Sequence, residues 1–172
     1  MCLLGKRYNR FHSGILQNTI HPFRMPNLKD LAKDLTTDFP RSPRETLAGY
    51  VIAGRTLDKC RADIAGTNGE YHFDCPLDGL FFEFTGISAE SFRTFVATGA
   101  DDDAVATWIE QNAESRESRA IIQWNNDLRG KRICEMPIEL QEFLEGYIPQ
   151  FIPAGKIVYV WFDVYDIEEK RI

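Results

Sequence analysis

From residue 27 onward, apolar residues recur every three or four positions, the period of a helix that buries one face. "PNLKDLAKDL" aligns Leu28, Leu31, Ala32 and Leu35 on one stripe, with Asn27 placed to cap it. "TTDFP" interrupts the pattern. Ser42-Pro43-Arg44-Glu45 then joins a capping serine, a proline at the first helical position and a glutamate that completes a capping box. Leu47, Tyr50, Val51, Gly54, Leu57, Arg61, Ile64 and Ala65 continue the stripe, and Gly66 is a good terminator. The pattern predicts one long helix over 43–65, with Gly49 and Gly54 as places where another backbone can approach closely.

Further along, Pro76 starts a short helix through Phe84 that Gly86 stops. Ser88 caps the next, with Phe92, Phe95 and Val96 inward and Gly99 at its end. The triplet Asp101–Asp103 suits the positive end of another helix, which buries Val105, Trp108 and Ile109. A helix over 117–129 closes at Gly130. Pro137 opens "IELQEFLEGY", and "IPQFIPAGK" reads as an extended linker. The tail "KIVYVWFDVYDIEEKR" fits a strand by its β-branched and aromatic content, or a helix that groups Trp161, Val164 and Tyr165. The expectation is a mainly α, single-domain bundle of about six to seven helices, its C-terminal tail ambiguous between helix and strand.

Charge changes this picture at the N-terminus. Residues 1–24 hold Lys6, Arg7, Arg10 and Arg24 and no acidic residue, whereas all 26 acidic side chains follow. Two regions are expected: a basic leader or disordered extension over 1–24, and a helical domain over 25–172. A transit peptide and a true start at Met25 are the other readings of the leader. The net charge of −6 disfavours general nucleic-acid binding, which depends on neutralising phosphates. No apolar run is long enough to span a membrane. Cys2, Cys60, Cys75 and Cys134 form no CxxC pair, which points to free thiols in a reducing cytoplasm.

The long basic stretch carries the first candidate chemistry. Arg41 and Arg44 flank the expected helix start, and Arg55, Lys59 and Arg61 follow on the helix. One reading is a solvated face, with Glu45, Asp58 and Asp63 pairing with these cations. The other is a site for a small anionic ligand or a protein partner. Arg44 and Lys59 are too far apart along a helix to share a small ligand. Arg55 and Lys59 would therefore act with Tyr71 or His72 after the Gly66–Gly69 turn, and Arg41 and Arg44 would form a separate site or none.

A second candidate is "YHFDCPLD", residues 71–78. Cys75 is a possible nucleophile with His72 as its base and Asp74 or Asp78 as orienting group. Asp58 is an alternative catalytic carboxylate. No metal site is expected, because His72 and Cys75 lack further ligands at suitable spacing. P-loop, GxGxxG, GxSxG and HExxH patterns are absent, so no cofactor is implied. An oligomer is compatible with the sequence.

"PRSPRETLAGYVIAGRTLDKCRADIAGTNGEYHFDCPLDGLFFEFTGI", followed by "WNNDLRGKRICEMP" and "ELQEFL", resembles an uncharacterised, mainly bacterial family, domain of unknown function number 5069. The likeness covers roughly residues 26–170 and leaves the basic leader outside. It implies no activity, substrate or cofactor. Ile52 stands where the resemblance leads one to expect a histidine in many members, and Ala53 lies near where Leu-Pro is common.

Overall fold

The computed structural model describes residues 27–172. The basic leader, with Cys2, His12 and His21, and the proposed boundary at Met25 lie outside the described residues. The described residues form eight α-helices and one short 3-10 turn. The helices are α1 (Leu28–Leu31), α2 (Ala53–Ala65), α3 (Pro76–Thr85), α4 (Ala89–Val96), α5 (Asp102–Asn112), α6 (Ser118–Arg129), α7 (Ile138–Phe151) and α8 (Trp161–Glu168). The tail is therefore helical, reached through extended backbone at Val160.

Local signals explain most boundaries. Asn27 caps α1 by accepting from the Lys29 N–H, Ser88 caps α4 by accepting from Ser91, and Asp101 caps α5 by accepting from Ala104. Pro76 occupies the first turn of α3, and Gly86 closes that helix in the left-handed region. Two expected elements differ. The first helix is a single turn, because Leu35 leaves the stripe to bury itself while its N–H donates to the Thr67 carbonyl. The helix through "EGYIPQF" runs on past Pro149 to Phe151, so the expected linker begins later.

The largest correction concerns residues 43–52. The capping box of Ser42 forms, with Glu45 Oε1 accepting from the Ser42 N–H and Ser42 Oγ accepting from the Arg44 N–H. It closes a turn, and no helix follows. Leu47 and Tyr50 exchange both backbone hydrogen bonds across a tight turn in which Ala48 and Gly49 have positive φ. Ile52 also has positive φ, at 70°, and the Ala53 N–H donates to the Val51 carbonyl around it. That conformation is strained for a β-branched residue. Ile52 is completely buried, and its own N–H donates to Pro43, so the surroundings hold it there. Only after this kink does α2 begin.

Asn125, from "WNND" on α6, secures the kinked segment. Its Oδ1 accepts from the Val51 N–H at 3.0 Å and its Nδ2 donates to the Gly49 carbonyl at 2.7 Å. Beneath the segment lies the apolar core, in which Leu57, Phe81, Phe92, Val105, Ile109 and Phe162 are completely enclosed. Against it α1, α3 and α4 pack on α2, while α6 packs on α8.

Asn125→Ala leaves the buried Val51 N–H without a partner, at a cost of roughly 1–3 kcal/mol, and frees the more exposed Gly49 carbonyl to solvent. Chemical denaturation should show this loss. An unchanged midpoint would mean that Asn125 does not hold the segment.

Candidate functional site

The centre of the structure is a polar helix that solvent does not reach. Every residue of α2 from Ala53 to Ala62 is buried, including Arg55, Asp58, Lys59 and Arg61. Buried charge is tolerated only when paired and hydrogen-bonded, and each of these charges has partners. Asp58 receives the Arg41 guanidinium, with its closest contact at 2.7 Å, and the Lys33 ammonium at 3.2 Å. Gly54 makes room for this arrangement, since a Cβ there would stand 3.2 Å from Arg41 Nε. Arg61 donates to Asp102 and to the Ala100 carbonyl, at 2.5 and 2.8 Å. Arg44, outside the helix, spans Asp163 and Asp166 of α8. No helix starts beside Arg41 and Arg44, and both guanidinium groups are occupied by carboxylates, an arrangement that favours no separate anion site over a helix-start one.

Arg55 and Lys59 form a different group. Arg55 is fully buried and makes a two-pronged pair with Glu169, at 2.9 and 2.6 Å. Its guanidinium lies between the rings of Tyr71 and Tyr165, at 5.4 and 4.9 Å from their centroids. The Tyr71 hydroxyl donates to the same Glu169 at 3.0 Å. Burial, and then the adjacent Glu169 carboxylate, push the Tyr71 phenol upward, so it is a hydrogen-bond donor at neutral pH. Lys59 Nζ lies 2.8 Å from Asp78 Oδ1 and 3.0 Å from Cys75 Sγ. Asp78 is completely buried and also accepts from the Thr56 hydroxyl at 2.8 Å. Asp78 and Thr56 therefore fix the ammonium that meets the thiol.

Arg55, Lys59, Tyr71, His72 and Cys75 border one cavity of about 840 Å³, together with Asp38, Glu70, Glu168 and Glu169. The two cations thus face four carboxylates, and the cavity carries no excess of positive charge. His72 is exposed, and no hydrogen bond joins it to Cys75; Lys59 occupies the place beside the sulfur. Asp58 points to Arg41 and Lys33 and does not border the cavity. Cys75 is half-buried at the N-terminal cap of α3, followed by Pro76 at the first helical position. Cys60, by contrast, is enclosed in the core, where burial pushes its thiol up to about 12. Among the described residues no group of three or more His, Cys, Asp and Glu side chains is placed to hold a metal ion.

Sequence reasoning did not single out Glu169, Tyr165, Tyr147 or Glu168 as part of this site. A signal for the acidic partners was present: Asp163, Asp166 and Glu169 recur at three-residue spacing, one face of a helix that complements the basic stretch.

This is a mainly α domain built around a buried, ion-paired helix, with a thiol–amine pair at the edge of a cavity. Residues 37–171 match the family model described as domain of unknown function (DUF5069), and the chain belongs to that family. A comparison with curated proteins finds no match. Among the described residues no helix is long and apolar enough to cross a membrane.

Arg55→Ala removes the main partner of a buried carboxylate, so the variant is expected to lose about 3–5 kcal/mol of stability. A melting temperature equal to the parent's would show that Glu169 is adequately held by Arg171 and Tyr71 alone.

The ion pairs also set an acid limit. Burial opposes ionisation of Asp102, yet its hydrogen bond to Arg61 and the charge of Arg41 outweigh this and hold it below the usual carboxylate value of 3.8. Asp163 is likewise held below it, burial being outweighed by the Val160 and Tyr159 N–H groups and Arg44. A carboxylate with a depressed folded-state value stabilises fully above its unfolded value and loses that contribution as pH falls through the folded one. Stability should therefore be level from neutral pH down to about pH 4 and fall below it. Asp102→Asn should flatten the fall, as followed by thermal melts across this range.

Proposed function

We propose that the protein is an enzyme that uses Cys75 as a nucleophile toward a small molecule held in the cavity. The observation that carries this reading is the 3.0 Å contact between Lys59 Nζ and Cys75 Sγ at the edge of an open cavity. A neighbouring lysine and a helix start are both features that accompany reactive cysteines. In this reading Cys75 Sγ attacks an electrophilic carbon of the ligand. Cys75 reacts as the thiolate, its charge balanced by the Lys59 ammonium, and that ammonium gives one of its protons to the departing group. Asp78 and Thr56 position Lys59. Arg55, Glu169 and Tyr71 form a rigid polar wall whose hydrogen bonds orient the ligand.

Capture of an anion by charge alone has less support, because the cavity's cations are already matched by carboxylates. The ligand is a small molecule and not a nucleic acid, in keeping with the acidic balance of the chain. The working compartment is one that keeps Cys75 reduced, such as the cytoplasm.

Alkylation by iodoacetamide at neutral pH, read cysteine by cysteine by peptide mass mapping, tests the proposal. Cys75 should be modified several-fold faster than the exposed Cys134, with Cys60 protected. Lys59→Met should slow Cys75 to the rate of Cys134. The double variant Lys59→Met/Asp78→Asn, which removes both buried charges together, should do the same and guards against misfolding of the single variant. Modification of Cys75 no faster than that of Cys134 in the parent protein would overturn the proposal.

A further inference from the structure

A second cavity, of about 730 Å³, opens between α3, α6, α7 and α8. Its walls are almost wholly apolar, with Leu80, Leu128, Met136, Leu140, Leu144 and Trp161 among them. Cys75, Leu77, Tyr147, Tyr165 and Glu168 border both this chamber and the polar cavity. The two spaces therefore abut, and the thiol lies at their junction. Between them the Tyr147 hydroxyl donates to Glu168 Oε1 at 2.8 Å, a polar link between α7 and α8 at the boundary.

We infer that the substrate of this site is an acyl compound with an aliphatic chain, seated with its chain in the apolar chamber and its carbonyl carbon at Cys75. This rests on the nucleophilic role proposed for that thiol. Three observations fix the direction of binding. Leucine, methionine and tryptophan walls suit a hydrocarbon and offer little to a polar head. The polar cavity, with Lys59, Tyr71 and Glu169, suits the leaving portion. Only the junction places a carbon within reach of the sulfur while both ends are accommodated. In the reaction, the Cys75 sulfur forms a bond to the carbonyl carbon and the bond from that carbon to the leaving oxygen or sulfur breaks. The attacking sulfur is the thiolate paired with the Lys59 ammonium, and that ammonium gives a proton to the leaving atom. The products are an acyl-Cys75 thioester and a free alcohol or thiol, so no oxidant or reductant is required.

The polar half of the cleft is an unsuitable seat for the chain, because a hydrocarbon there would strip water from Asp38, Glu70 and Glu168 without replacing their hydrogen bonds. In the apolar half each buried methylene strengthens binding by about fourfold. That sets a chain-length signature that a nonspecifically reactive thiol lacks.

The probes are p-nitrophenyl esters of acetate, butyrate, hexanoate and octanoate, incubated with the full chain. Acylation of Cys75 is read by mass spectrometry, and iodoacetamide labelling is measured in parallel. The second-order acylation rate is expected to rise steeply from acetate to octanoate. Leu140→Trp, which fills the chamber away from the thiol, should abolish this rise and leave iodoacetamide labelling of Cys75 unchanged. Leu128→Phe serves the same purpose should the first variant fold poorly. If Cys75 reacts quickly with iodoacetamide but acylates at a rate independent of chain length, the acyl-chain assignment fails and the nucleophile survives. If Cys75 is inert to both reagents, the nucleophilic role itself fails. The assignment is also overturned if the chamber instead holds a second copy of the chain. Leu140→Trp would then convert a dimer to a monomer in light scattering, without altering the chain-length profile.

Discussion

The structure depends on keeping charge inside it neutral. α2 brings two arginines, a lysine and an aspartate into the interior, and an isolated ion there would be prohibitively unfavourable. Each partner must come from another part of the chain. Asp102 comes from the start of α5, Asp78 from α3, and Glu169 from the residue after α8. The helices that share the apolar core are thus also held in register by pairs with fixed geometry. Such pairs contribute less to net stability than an apolar replacement would, but they discriminate strongly against misplaced helices, whose charges would be left alone.

The same constraint shapes the candidate site. Lys59 lies beside Cys75 because Asp78 holds its ammonium, and Asp78 is held in turn by Thr56 one turn before Lys59 on α2. Arg55 is clamped by Glu169 and flanked by two tyrosine rings. None of these groups can move without exposing an unpaired charge. Preorganisation of that kind favours chemistry, since nothing need reorient when charge develops at the sulfur. It disfavours capture of an arbitrary anion, which would have to displace a carboxylate already in place.

Helix boundaries from α3 to α6 were legible because their signals are local: Pro76, Gly86, Ser88, Asp101 and Gly130 act within a turn of themselves. The start of α2 was not. Ser42 and Glu45 form the capping box that the sequence advertises, but the chain then turns through Ala48, Gly49 and Ile52 with positive φ. Only tertiary contacts from Asn125 and Pro43 sustain that path, and no local pattern encodes them. The exposure of α2 was misjudged for a related reason. Charged residues are ordinarily solvated, and their burial becomes intelligible only beside acids 19 to 114 residues away. The nearness of Arg55, Lys59 and Tyr71 followed from helical spacing and the Gly66–Gly69 turn. The part played by Glu169 needed the tail to be recognised as a helix with an acidic face.

The pairing of Arg55 with Glu169 spans 114 positions, and Arg171, further toward the C-terminal side, completes the cluster. Synthesis proceeds from the other end. A ribosome will have delivered α2 and its cations long before Glu169 and Arg171 are made, so Arg55 spends that interval without its carboxylate. That side of the cavity is therefore among the last parts of residues 27–172 to take its final form. A chain cut before Glu169 would leave the buried Arg55 guanidinium without its carboxylate.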